Sequence, residues 1–304
     1  MLTAMIFRQL ASLRSLPERL RFRLYPRFAK FCLDRATKLT RASLTKHRPI
    51  GVLVDNTVLG LAITHESKWI STGGPRSGND GLGTGYLARV PVYGKNNDGE
   101  DYIDTTYLTG VAHLARLGFI KLFTSAELDD EQLRQPAGRY RGYGYFDYSL
   151  FWGINIDSLD GDVAHSFGVF SQKLPSLADQ QRKRLKLKAS DDEQYRYLYA
   201  LLQQQLGKKC SQDSWHIRTA ERHGISYFLT TDRPLLKACE SLQKKEPLAS
   251  MKVRVLSPKE FAVEFGIKPV SPILLSYNDA SFFVRKDHNM PGQRRRKLKE
   301  YRKN

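Results

Sequence analysis

The chain has little cysteine, a deficit of acidic residues and no long apolar run. Three of its 304 residues are cysteine (Cys32, Cys210, Cys239), and no CxxC pair occurs. That excludes a disulfide scaffold and a cysteine-built zinc site, and it fits thiols kept reduced in the cytoplasm. No run of about 18 apolar residues is present, so stable membrane insertion is not expected. Gly81, Gly83 and Gly85 neither follow a predicted strand nor open a helix, which argues against a dinucleotide-type phosphate loop. No internal repeat is apparent.

The acidic deficit is unevenly spread. The chain carries 31 Asp and Glu against 49 Lys and Arg, a net charge of +18. Residues 1–50 hold 12 basic and 2 acidic side chains, and residues 285–304 hold 9 and 2. The remainder is nearly balanced, with 28 basic and 27 acidic residues. A near-neutral body with two basic ends favours polyanionic partners, nucleic acid first. The N-terminal stretch is also amphipathic (Leu10, Leu13, Leu16, Leu20, Leu24) and interrupted by Pro17 and Pro26. It predicts one or two short basic helices. A transit peptide is the alternative, since the stretch lacks the apolar centre of a secretory signal.

Apolar runs place the strands. Ile50-Gly-Val-Leu-Val54 reads as a strand ending at Asp55, followed by a helix from Asn56-Thr57. Residues 71–101 are rich in Gly and Asn and read as a long loop, with Val90 to Tyr93 as a short extended segment. Asp104-Thr-Thr reads as the cap of a helix that ends at Leu117-Gly118. Ile120-Lys-Leu-Phe123 is a strand, and Thr124-Ser125 caps a helix carrying Glu127. Residues 136–175 form a Gly- and aromatic-rich insertion, read as packed cover or as a stacking surface for bases. Asp191 to Leu206 reads as a helix. Asp213 then opens another, stopped at His223-Gly224, and Tyr227-Phe-Leu229 is a buried strand. A helix from Pro234, a strand from Met251 to Leu256 and a helix to Phe265 complete the pattern. Alternating strands and helices predict an α/β fold with a mostly parallel sheet covered on both faces.

Four acids recur at equivalent places in this order: Asp55 after the first strand, Glu127 after the second, Asp213 on the helix before the third, and Asp232 after it. In an open α/β sheet these positions converge on the carboxyl edge, where ligands bind. Converging carboxylates suit a hard divalent cation. Plainer readings exist for each. Asp55 and Asp213 also fit helix caps, Asp232 a turn residue, and Glu127 a first-turn acid favoured by the helix dipole. His216 and His223 read as packing or capping groups. Asp160, Asp162 and His165 read as an exposed turn, and Glu131, Asp191 and Asp192 are weaker candidates.

The segments Val52-Leu-Val-Asp-Asn-Thr-Val-Leu59, Leu122-Phe-Thr-Ser-Ala-Glu-Leu128 and Asp213 to Asp232 together resemble the PIN domain nucleases. The last segment carries most of the likeness, through Ala-Glu-Arg-His-Gly and Leu-Thr-Thr-Asp. The resemblance covers roughly half the chain, about 50–125 and 190–268. It implies a three-layer α/β/α sandwich over 49–268, with insertions at about 71–101 and 136–188, a basic arm at 1–48 and a basic tail at 269–304. It implies Mg²⁺ or Mn²⁺ held by Asp55, Asp213, Asp232 and Glu127, with phosphodiester hydrolysis, most often of RNA. Asn56, Thr230 and Thr231 would support the acids. Arg233, the run Arg182-Lys183-Arg184 and the run Arg294-Arg295-Arg296 would meet phosphates. Expected partners are RNA more than DNA, with a protein inhibitor or antitoxin and a homo-oligomer as further expectations. The minimal toxins of that family begin almost at the first acid. The basic stretch 1–50 ahead of Asp55 and the two insertions depart from that pattern.

Overall fold

The computed structural model describes residues 18–44, 48–71, 85–92, 99–134, 150–151, 153–160 and 191–275. Five strands form one sheet: β1 (Ile50–Val54), β4 (Ile120–Thr124), β5 (Ile156–Ser158), β6 (Tyr227–Leu229) and β7 (Arg254–Leu256). Their order is β5-β4-β1-β6-β7, and every neighbouring pair is parallel. The remaining strands, β2 (His65–Ser71) and β3 (Gly85–Pro91), pair antiparallel in a separate two-stranded sheet.

Side chains along the sheet alternate between two cores, as the strand period of two requires. Val52, Val54, Leu122, Tyr227, Leu229 and Leu256 face one core, while Leu53, Phe123, Phe228 and Val255 face the other. The first core is closed by α1 (Glu18–Ala36), α4 (Glu100–Arg116) and α9 (Pro258–Glu264), through Ala29, Leu33, Leu108, Val111 and Phe261. Short helices α2 (Lys38–Leu44) and α3 (Asn56–Leu61) flank it. The second core is closed by α6 (Glu193–Leu206), α7 (Ser211–Arg222) and α8 (Arg233–Leu242), with Leu128 from α5 (Ala126–Arg134). Leu53, Leu198, Leu202 and Ile217 are fully buried there. Truncating one of them to Ala would cost about 2–5 kcal/mol.

Local sequence explains several boundaries. α7 stops at Gly224, whose φ of 65° is open to glycine at little cost. Gly224 N donates to Glu221 O and Ile225 N to Ala220 O, the paired bonds of a Schellman end. α9 opens with Ser257 and Glu260 bonding each other's backbone N–H.

Several expectations change. Residues 18–44 form two helices, as expected, but Pro26 lies inside α1 instead of interrupting it, and α1 buries Ala29, Leu33 and Ala36 against α4. α4 starts at Glu100, so Asp104 lies in its second turn rather than at its cap. The loop assigned to 71–101 contains β3, hydrogen-bonded along its length to β2. The region assigned as an insertion supplies β5, an edge strand bonded to β4. The folded body also runs past 268: Val270 N bonds Thr106 O, and Val270 and Leu274 are buried.

Candidate metal and acid site

The chain runs outward from β1 to β4 and β5, then crosses to β6 and β7 on the other side. The order therefore reverses between β1 and β6. In open α/β sheets the crevice at such a reversal, at the carboxyl ends, is where ligands bind. Asp55 leaves β1 there, and Thr230, Thr231 and Asp232 leave β6 beside it. Asp55 N bonds Leu229 O at 2.9 Å, closing the two strand ends together. α7 runs back towards the start of β6, which brings its first turn, with Asp213, to the same edge.

Asp55 occupies the N-cap position of α3, yet its side chain makes no capping bond. Thr57 and Thr230 each donate an Oγ1–H to Asp55 Oδ2 at 2.6 Å instead. Thr57 Oγ1 accepts from Thr231 N at 3.1 Å, and Thr230 Oγ1 accepts from Asp232 N at 3.1 Å. The two hydroxyls thus knit the ends of β1 and β6 around one carboxylate. Burial pushes the Asp55 carboxyl above its ordinary pKa; the two threonine bonds and His216 oppose this, and Glu131 adds to it.

Asp213 sits in the first turn of α7 and is half-buried. Its pKa is pushed up to about 6, first by burial, with His216 opposing, and then by the charges of Asp232, Asp55 and Glu131. Like charges crowding one place disfavour ionisation in this way. Asp232 does act as a cap, its Oδ1 accepting from Leu235 N at 3.1 Å to start α8.

Two residues outside the core of the expected set enter the cluster. His216 is buried, and its Nε2 lies 3.1 Å from Glu131 Oε1. Burial works against its charge, but the Glu131 hydrogen bond and the fields of Glu131, Asp55 and Asp213 outweigh that and raise its pKa. His216 Nδ1 is buried without a hydrogen-bond partner among the described residues. It is therefore a hydrogen-bonding partner of the acid cluster, more than the packing group the sequence suggested. Glu131 also accepts from Asn56 Nδ2 at 3.4 Å, while the same amide donates to Leu128 O at 2.7 Å. Glu127 is buried one turn earlier on α5. Helical spacing held the missed signal, since Glu131 is i+4 from Glu127 and His216 is i+3 from Asp213, so each shares its neighbour's face.

Arg233 was expected at a phosphate and is committed elsewhere. Its guanidinium pairs with Asp104, which is buried in α4, and its Nε lies 3.2 Å from Glu100. Asp104 Oδ1 also accepts from Lys259 N at 2.9 Å, so this carboxylate joins α4, α8 and α9. Arg182, Lys183, Arg184, Arg294, Arg295 and Arg296 lie outside the described residues, as do Asp162, His165 and most of the aromatic insertion.

Among the described residues, no three His, Cys, Asp or Glu side chains stand close enough together to hold a metal ion. The donor chemistry nevertheless fits a hard divalent cation. Asp55, Asp213, Asp232 and Glu131 offer only oxygen, and the burial and like charges that raise the Asp213 pKa are costs that such a cation would offset.

No protein-family model matches the chain, and no curated protein or solved structure matches it significantly. No helix among the described residues is long and apolar enough to cross a membrane.

Proposed function

We propose that the chain is a PIN-like, divalent-metal-dependent nuclease that hydrolyses phosphodiester bonds, with RNA as its preferred substrate. The observation that carries this reading is the convergence of Asp55, Asp213 and Asp232 on the sheet's topological reversal, where burial first, and then the charges of Asp232, Asp55 and Glu131, raise the Asp213 pKa to about 6. Asp55, Asp213 and Asp232 are the residues to hold Mg²⁺ or Mn²⁺, with Glu131 or Glu127 as the acid from α5. Such an ion, when bound, acidifies a coordinated water and neutralises charge on the attacked phosphate. The chain's own groups prepare the place. Thr57 and Thr230 fix the Asp55 carboxylate, Asp232 is held by its cap bond, and His216 keeps Glu131 turned into the cluster. The basic ends add affinity for the backbone of a nucleic acid without reading its sequence.

A second reading, a PIN-like nucleic-acid-binding module without activity, is favoured by one observation: no three ligands are drawn together among the described residues. One experiment separates the two. The full chain is incubated with labelled single-stranded RNA and the matching DNA in Mg²⁺, Mn²⁺ or chelator. The nuclease reading expects metal-dependent cleavage, stronger on RNA. Binding without cleavage in either metal supports the silent module.

A further inference from the structure

The outward face of the N-terminal helices carries large apolar side chains that are left exposed among the described residues. Leu24 is 38% exposed, Phe31 59% and Leu39 67%, on helices whose opposite side is buried through Ala29, Leu33, Ala36, Thr40 and Leu44. Thr37 N bonds Leu33 O at 3.0 Å and Arg41 N bonds Thr37 O at 2.9 Å, so helical bonding runs across Thr37 from α1 into α2. At the helical period Leu24, Phe31 and Leu39 then fall on one stripe, at i, i+7 and i+15. Arg27, Arg35 and Lys38 share that stripe, and all three are exposed. Asp34, one of two acids on α1 with Glu18, is turned aside to Arg41 and His113, with Lys30 closing over it.

We propose that this face docks on an anionic lipid surface, with Phe31 and Leu39 entering the headgroup boundary and Arg27, Arg35 and Lys38 meeting lipid phosphates. The charge is complementary, since residues 1–50 hold 12 basic and 2 acidic side chains. A purely electrostatic phosphate contact, as with a nucleic-acid backbone, leaves no use for exposed Phe and Leu between the charges. Apolar side chains interleaved with Lys and Arg are what interfacial helices use, gaining from burial and from charge at once. The acid cluster lies at the carboxyl edge of the sheet and takes no part in this contact.

The test is co-sedimentation of the full chain with vesicles of phosphatidylcholine alone or with about one third phosphatidylserine. Binding is expected on the anionic vesicles only. Phe31→Ser/Leu39→Ser should weaken it about tenfold, and Arg27→Gln/Arg35→Gln about thirtyfold, since each basic group near such a surface is worth roughly a factor of five. These positions are exposed, so thermal melting of both variants should match the parent. Binding of single-stranded RNA by Phe31→Ser/Leu39→Ser should be unchanged. Three outcomes overturn the proposal. These are no partition onto anionic vesicles, an apolar double variant that binds them as tightly as the parent, or loss of RNA binding in that variant, which would assign the face to nucleic acid.

Discussion

Replacing Asp213 by Asn should stabilise the metal-free protein at neutral pH, because the carboxylate is an ion held in a buried place and beside the like charges of Asp232, Asp55 and Glu131. Its pKa rises from the ordinary 3.8 to about 6 in the folded chain. Below about pH 3.8 the group is protonated in both states and costs nothing. Between about pH 3.8 and 6 the unfolded chain ionises first, so the folded state holds the extra proton and stability falls as pH rises. Above about pH 6 the full penalty applies. The shift of about two units corresponds to about 3 kcal/mol, and partial exposure to solvent lowers that to about 1–2 kcal/mol. Urea unfolding of Asp213→Asn and the parent, in chelator, should therefore differ by that amount at pH 8 and by almost nothing at pH 3.5. In a domain of this size the pH 8 difference is a rise in Tm of about 2–8 °C. A variant less stable than the parent at pH 8, or equally more stable at both pH values, would refute the account of a buried carboxylate beside like charges.

Other outcomes follow from the same geometry. Thr230→Val removes one of the two donors to a buried carboxylate oxygen; it should cost about 1–3 kcal/mol at pH 8, and less at low pH where Asp55 is protonated, by denaturant unfolding. Arg233→Ala leaves Asp104 buried with only the Lys259 N–H, and a loss of about 3 kcal/mol is expected, larger at pH 8 than at pH 4. Gly110→Ala would drive a methyl into Ile267 Cγ2, just past the end of α9, so the melt should show a loss of about 1–3 kcal/mol with the metal response intact.

Much of the sheet could be read from the chain, and the exceptions share a cause. β1, β4 and β6 sit in apolar runs because most of their side chains enter one core or the other, with Lys121 of β4 the exposed exception. β5 is three half-buried residues at the sheet's edge, Ile-Asp-Ser, too short and polar to leave a periodic signal. β2 and β3 owe their form to pairing across a long connection, which neither segment records alone. Asp104 resembled a cap because Asp-Thr-Thr is a capping sequence. Its partners, Arg233 and Lys259, are more than a hundred residues away. The same limit applied at the site. Asp55, Asp213 and Asp232 stood out by their place in the strand–helix order. The roles of His216 and Glu131 depend on α5 meeting α7, a contact between parts of the chain some 85 residues apart.

The most direct test of the central claim is Mn²⁺ binding followed by electron paramagnetic resonance, on the parent and on Asp55→Asn and Asp213→Asn, with folding verified by melting. The parent should bind Mn²⁺ saturably and gain thermal stability from it, by about 3 kcal/mol at a hundredfold excess over Kd. Both variants should lose the binding and the gain while remaining folded. A parent that takes up no Mn²⁺, or folded variants that bind it as the parent does, would contradict the assignment of these carboxylates to a metal site.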